Sequence, residues 1–288
     1  MIVGSNQLLD FVKLDPETVD RTSSVPRVSV VVPSFNQAEY LEYTLRSVLN
    51  QRYPNLELIV IDGGSTDGST AILERYGRYL TYWVSEADRG QSHAINKGCE
   101  VATGEILTYL NSDDLLSPWR PIQNAVTKLQ QAHCKMSLVY GHAYLIDSEN
   151  MVTGLSPALP YSDIGYVSGR FAIPQPGTFF TREVFEATGG FNETNKVCMD
   201  GEFWLKAQAN GTYFILSDHI QSAFRLHSTS ITVSKRYQEE YENRQRAMRQ
   251  TLAPSMRQWL SHRLVGRNWD RALRLSLRAA YNRSASVS

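Results

Sequence analysis

Three short polar segments hold the chemistry of this chain, each placed where an aliphatic run stops. They are Pro33-Ser34-Phe35-Asn36 after Val30-Val31-Val32, then Ile61-Asp62-Gly63-Gly64-Ser65-Thr66-Asp67, then Leu110-Asn111-Ser112-Asp113-Asp114. Asp113 and Asp114 are adjacent, with no Lys or Arg near them in the sequence to offset the charge. A carboxylate pair of this kind suits a hard divalent cation such as Mg²⁺ or Mn²⁺, which takes oxygen ligands and shares them with phosphate oxygens. The expected ligand is therefore phosphorylated, and the expected protein a nucleotide-using enzyme. Better-known phosphate and nucleophile motifs do not fit. The first aliphatic run ends without glycines, so a dinucleotide fingerprint is absent, and Ser69 stands where a P-loop needs its lysine. Gly90-Gln91-Ser92-His93-Ala94 lacks the closing glycine of a nucleophile elbow.

The surrounding pattern supplies elements to position these segments. Val28 to Val32 reads as a buried strand stopped by Pro33, and Leu41, Leu45, Val48 and Leu49 share one helical face. Strands are expected over 56–61, 80–84 and 105–110, with helices starting near Ala71 and spanning 94–101. This alternation with short connections argues a parallel sheet of βαβ units, and ligands bind at the strand ends of such sheets. Further on, a helix is expected from Pro121 to about His133 and strands at 137–146, 178–180, 213–216 and 221–226. Another helix is expected over 201–209. Residues 161–176 read as irregular.

The 288 residues are enough for one large α/β domain with an appendage. No apolar run approaches the ~18 residues of a membrane span. The N-terminus lacks the pattern of a secretory signal. Cys99, Cys134 and Cys198 show no ligand spacing, so zinc and disulfides are not expected and a cytoplasmic location is. Formal charge is zero but uneven: from Lys235 onward 12 Lys/Arg face 4 Asp/Glu, and the preceding part carries 17 against 25. In that tail Arg267, Arg271, Arg274 and Arg278 fall on one helical face, with Trp269, Leu273, Leu277 and Ala280 near the opposite side. Such a helix can rest peripherally on the inner face of a membrane, mediate self-association, or pack onto the catalytic domain with its arginines in solvent. Nucleic-acid binding is not expected, because no accompanying motif is present.

The segments VVVPSFN, VIDGGSTDGS, SEADRGQSHAINKG, ATGEILTYLNSDD, QPGTFFTREVFEATGGF, MDGEFWLKA and FRLH, in this order and over roughly residues 27–231, resemble family 2 glycosyltransferases. The resemblance implies a GT-A fold: a central α/β sheet flanked by helices, here with a helical C-terminal extension. It also implies inverting transfer from a nucleotide-diphospho-sugar, UDP-linked as the first expectation, to an acceptor on a glycan, lipid or protein. The expected domains are an arm over 1–26, the GT-A domain over 27–233 and a basic helical extension over 234–288.

By the same resemblance Pro33, Phe35 and Asn36 form the lip of a base pocket, with Phe35 as ordinary core the alternative. Asp62 and Asp67 touch the base, Asp67 alternatively capping a helix. Arg89 lies near the diphosphate or is a solvated charge. Asp113 bonds the ribose and Asp114 holds Mn²⁺ or Mg²⁺, or the pair caps a helix. His227 completes the metal sphere or is structural. Gly177 lets the backbone approach the donor or makes a turn into a strand. Asp200 matches the catalytic base, or is an N-cap; Met199 and Glu202 depart from the family's pattern around it. Two rivals stay open. One is a sugar-1-phosphate nucleotidyltransferase, which would want a Gly-rich basic loop after the first strand. The other is a catalytically silent nucleotide-sugar-binding scaffold.

Overall fold

The computed structural model describes residues 5–17, 24–167, 173–227, 230 and 238–251. Within the expected N-terminal arm, α1 (Ser5–Lys13) buries Leu8 and Val12, one turn apart, against Leu115, Tyr144, Ile146 and Ala223. Two buried side chains on one face are too few for a period to stand out in the sequence.

β1 (Val28–Ser34) is buried along its whole length, as befits a strand covered on both sides. After it come α2 (Ala38–Leu49), β2 (Leu56–Asp62), α3 (Ser69–Tyr76), β3 (Tyr82–Ser85), α4 (Gln91–Val101) and β4 (Ile106–Tyr109). β1 pairs in parallel with both β2 and β4, and β2 with β3. Strand alternation divides the core. Val28, Val30, Val32, Leu58 and Val60 pack with Leu41 and Leu45 of α2 and Leu73 of α3. Val31, Ile59 and Ile61 pack with Ile95 and Cys99 of α4 on the other face. The chain moves outward from β1 to β3, then returns to the opposite side of β1. The carboxyl ends of β1 and β4 therefore flank the switch point, the ligand crevice of open α/β sheets.

The second half departs from the expected parallel order. Its elements are β5 (Leu115–Leu116), α5 (Pro121–Ala132), β6 (Ser137–Ile146), β7 (Val152–Ser156), α6 (Asp163–Val167), β8 (Phe179–Thr181), α7 (Arg182–Thr188), α8 (Met199–Ala209), β9 (Tyr213–Arg225) and α9 (Gln238–Thr251). β8 enters between β4 and β6, antiparallel to both, so the sheet is mixed. β9 runs parallel to β6 and carries β5 on its far edge, while β7 pairs with β6 alone. The two strands expected at 213–216 and 221–226 are one strand, whose pairing shifts opposite Tyr140 to Ala143. Polar Ser217, Asp218 and His219 occupy that irregularity, which is why the pattern reads as a break. Among the described residues no helix is long and apolar enough to cross a membrane. The basic tail face at Arg267, Arg271, Arg274 and Arg278 lies outside the described residues.

Candidate active site

At the ends of β1 and β2 the polar side chains mostly bind the backbone. Asp62 is fully buried: its Oδ2 accepts the Gly64 and Ser65 amides and the Ser85 hydroxyl, and its Oδ1 accepts the Ser65 hydroxyl. Asn36, with φ +52°, donates its amide to Ser65 Oγ at 2.7 Å and accepts the Thr66 amide at 2.9 Å. Asp67 ties two helix starts together, accepting the Ala38 amide on Oδ2 at 2.8 Å and the Ser69 amide on Oδ1 at 3.0 Å. Slight burial works against its charge, but those amides outweigh it and hold the carboxyl below its ordinary range. This geometry is the helix-end reading of Asp67. Pro33 is buried in the sheet, opposite Ile61. Phe35 is 60 % exposed, not core, and stands with Asp88 over Gly63. Arg89 is not a free surface charge: its guanidinium meets Glu193 at 2.8 Å.

The Asp113–Asp114 turn leads into strand β5, not a helix, so the capping alternative is set aside. Thr44 Oγ1 of α2 lies 2.8 Å from the carbonyl oxygens of both Ser112 and Asp114 and pins the turn from below. Asp114 is fully buried; its Oδ1 accepts the Arg225 amide at 2.9 Å and its Oδ2 the Asn111 side chain at 3.3 Å. Burial first, then the charge of Asp113, pushes the Asp114 carboxyl well above its usual range. The absence of a counter-charge read from the sequence is corrected by Arg225, which arrives from β9. Its side chain is fully buried and donates to the carbonyls of Asp113 at 2.7 Å and Asp147 at 2.7 Å and to Asn150 Oδ1 at 2.6 Å, with its face 4.5 Å from the Tyr40 ring. His227 Nε2 lies 2.9 Å from Asp113 Oδ2. Among the described residues no three His, Cys, Asp or Glu side chains are grouped around a metal position. As the site stands His227 is a partner of Asp113, and Asp114 is a fully buried carboxylate.

Asp200 lies within the first turn of α8 and so is not its N-cap. Its Oδ1 accepts the Gly201 amide at 2.8 Å. Burial dominates that bond and raises the carboxyl to about 6, although its surface stays partly open to solvent. Glu202 turns away to hold the loop before the helix: Asn192 and Asn195 each donate to it at 2.9 Å. Burial opposes its charge, but those bonds and Lys206 prevail and lower its pKa. Met199 faces the core beside Ser92.

Tyr109 joins the two halves. It is buried at the end of β4, and its hydroxyl is pushed well above its ordinary pKa by burial, then by the charges of Asp200 and Asp114. Gln175 donates to the Tyr109 carbonyl at 3.2 Å and accepts from Asn111 at 3.3 Å. Asn111 in turn accepts from Gln91 of α4 at 2.5 Å. Gly177 has φ +75°, and a Cβ there would come 2.8 Å from that of Gln221, so its backbone needs glycine for packing onto β9. The structure thus gathers Asp113, Asp114, His227 and Asp200 around the end of β4, while Asp62, Asp67 and Asn36 organise the β1–β2 edge. Gln175 opens the segment that the resemblance places along the sugar and acceptor region, whereas Gln91, Tyr109 and Arg225 carry no expected role from the sequence. A lone arginine two residues before His227 in an apolar strand was the available signal.

The family model for glycosyl transferase family 2 matches residues 29–182. An uncharacterised glycosyltransferase of Mycobacterium tuberculosis is 33 % identical over 186 residues, 64 % of this chain and 70 % of that protein. A Bacillus subtilis glycosyltransferase named for teichuronic acid biosynthesis is 40 % identical over 98 residues, 32 % of this chain and 38 % of that one. Among solved structures, Staphylococcus aureus TarS in complex with UDP-GlcNAc superposes with a TM-score of 0.63 at 18 % identity, over 81 % of this chain and 70 % of that one. A Pyrobaculum calidifontis mannosyltransferase in complex with GDP-Man and Mn²⁺ gives 0.61 at 23 % identity, over 99 % and 82 %. These neighbours share the GT-A α/β fold. With the family model covering more than half of its length, this chain is a member of glycosyl transferase family 2, a transferase enzyme.

Proposed function

We propose that the chain is an inverting glycosyltransferase that takes its sugar from a nucleotide-diphospho-sugar, UDP-linked as the first expectation, and passes it to an acceptor hydroxyl on a glycan or lipid-linked substrate. The observation that carries the reading is the convergence of two carboxylates, the fully buried Asp114 and the partly buried Asp200, on Tyr109 at the switch point of the sheet. One suits a donor's metal, the other a proton acceptor. The solved neighbours hold UDP-GlcNAc in one case and GDP-Man with Mn²⁺ in the other. That supports a nucleotide-sugar donor and leaves the base to experiment.

Phe35, Asn36 and Gly63 would receive the base beside Asp62, and Asp113 the ribose. Arg89 would turn from Glu193 to the diphosphate. Asp114 would hold Mn²⁺ or Mg²⁺ together with phosphate oxygens, the cation stabilising charge that builds on the leaving diphosphate. Asp200, with a pKa of about 6, is ionised at neutral pH and yet basic enough to receive a proton. The acceptor hydroxyl attacks the anomeric carbon, its proton goes to the Asp200 carboxylate, and the bond to the diphosphate breaks on the opposite face. One displacement inverts configuration and needs no covalent intermediate.

Calorimetric titration with UDP, GDP, dTDP and CDP, each with and without Mn²⁺, tests the donor site. Binding of one nucleotide that requires metal and is lost in Asp114→Ala is the expected result. A folded protein that binds none of them would overturn the reading.

A further inference from the structure

Gly201 directly follows Asp200, and the space a side chain would need there is filled by Tyr166 of α6. A Cβ on Gly201 would sit 1.4 Å from the Tyr166 hydroxyl oxygen and 1.9 Å from its ring carbon Cζ. Tyr166 is 4 % exposed and packs with Cys198, Val197 and Leu205 around α8, with Tyr161, and with Tyr241 of α9. Glycine inside a helix costs about 1 kcal/mol relative to alanine, so its presence in this first turn needs a compensating contact. The inserted phenol is that contact.

We propose that Tyr166 is a positioning residue for Asp200: its ring, seated against Gly201, closes the first turn of α8 to water and so maintains the environment in which Asp200 takes the acceptor proton. This rests on the reading of Asp200 as the base. The titratable groups around Asp200 are Tyr109 from β4, Tyr166 from α6, and Cys198 and Glu202 from its own turn. Tyr241 and Arg244 of α9 bear on Tyr166 and Cys198 from outside. No cation of this set lies on Asp200 itself, so burial is the dominant influence upon it. The Tyr166 hydroxyl is likewise pushed well above its ordinary value, by burial first and the Asp200 charge second. The two groups thus lie within electrostatic reach of each other, Tyr166 buried and Asp200 partly so. Removing the ring admits water, which favours the ionised carboxylate and makes it a weaker base.

The test reads Asp200 directly and needs no substrate. In protein labelled with ¹³C at the aspartate carboxyls, the Asp200 resonance is identified by its loss in Asp200→Asn, and its titration midpoint is followed. The parent midpoint is expected near 6. In Tyr166→Ala it should fall below about 5, toward the ordinary carboxylate range, while Tyr166→Phe, which keeps the ring, stays with the parent. Should Tyr166→Ala fail to fold, Gly201→Ala serves instead, because its methyl must displace the phenol and lower the midpoint in the same way. An unchanged midpoint in the folded ring-displacing variant overturns the proposal, as does an equal fall in Tyr166→Phe. The base reading is judged separately, by release of UDP from UDP-GlcNAc or of GDP from GDP-Man. If Asp200→Asn keeps the parent's release, the base assignment fails and the proposal with it. If release is lost but the midpoint does not move in Tyr166→Ala, Tyr166 alone is wrong.

Discussion

Arg89 and Glu193 form an ion pair whose side chains are 67 % and 31 % exposed, and pairs of this kind contribute only about 0–1 kcal/mol. On the proposed reading a diphosphate would take Arg89 from Glu193 at little cost, with Glu193 a weak placeholder. Glu193→Gln should tighten binding of the cognate nucleoside diphosphate by up to about 5-fold, the factor corresponding to that pair energy. The gain should vanish in an Arg89→Ala background. Calorimetry at fixed ionic strength checks both, and an equal gain with and without Arg89 would break the link. Asp113 and Asp114 were legible in the sequence as adjacent carboxylates at a strand end, and Asp200 through the family resemblance alone. Arg225 was not, because only folding carries it across 111 residues to Asp114. Nor was Tyr166, whose partner is a glycine and so leaves no side-chain signature.

Among the elements, β1, β2 and the entry to β4 are stapled by one side chain. Glu57, 6 % exposed, accepts the Ser29 hydroxyl at 2.5 Å, the Thr103 amide at 2.7 Å and the Thr103 hydroxyl at 2.8 Å. Burial alone would raise its pKa, but the bonds from Ser29 and Thr103 and the charge of Arg27 overcome this and lower it. Glu57→Ala is expected to destabilise the fold by about 2–3 kcal/mol in urea at pH 7. A lowered carboxylate contributes stability above its unfolded value near 4.5 and loses it as pH falls through the lower folded value, so the gap should narrow at pH 3. Nucleotide affinity should hardly change, since the staple lies at the amino end of the sheet. The βαβ half was readable from period because β1, β2 and β4 are buried almost throughout and the helices bury one face. In the mixed half α5, β6, β8 and α8 were readable as well, whereas β5, with two residues, and α7, with seven, are too short for any period. Polar Asp218 and His219 disguised β9 as two strands.

At the scale of the molecule, Arg225 binds three parts of the fold: the acidic turn, the turn after β6 and, through Tyr40, helix α2. Arg225→Met would leave the carbonyls of Asp113 and Asp147 and the Asn150 side chain without their donor. Its expected cost is about 3–5 kcal/mol, measured by urea unfolding. Lysine should rescue little, since a point charge cannot reproduce the planar fork. A loss below about 1 kcal/mol for the methionine variant would show that water replaces the guanidinium freely.

The position of β9 has a consequence for the order in which the protein can be built. Among the described residues it is the last strand and yet lies inside the sheet, between β6 and β5. On a ribosome the β1–β4 half can emerge and pair while the acidic turn still lacks the amide and guanidinium that hold it. The nascent chain thus carries an unguarded edge on β6 and a loose carboxylate pair until residue 225 has left the exit tunnel. On the proposed reading, competence to bind a donor would then arrive in a single late step, as β9 slides into place.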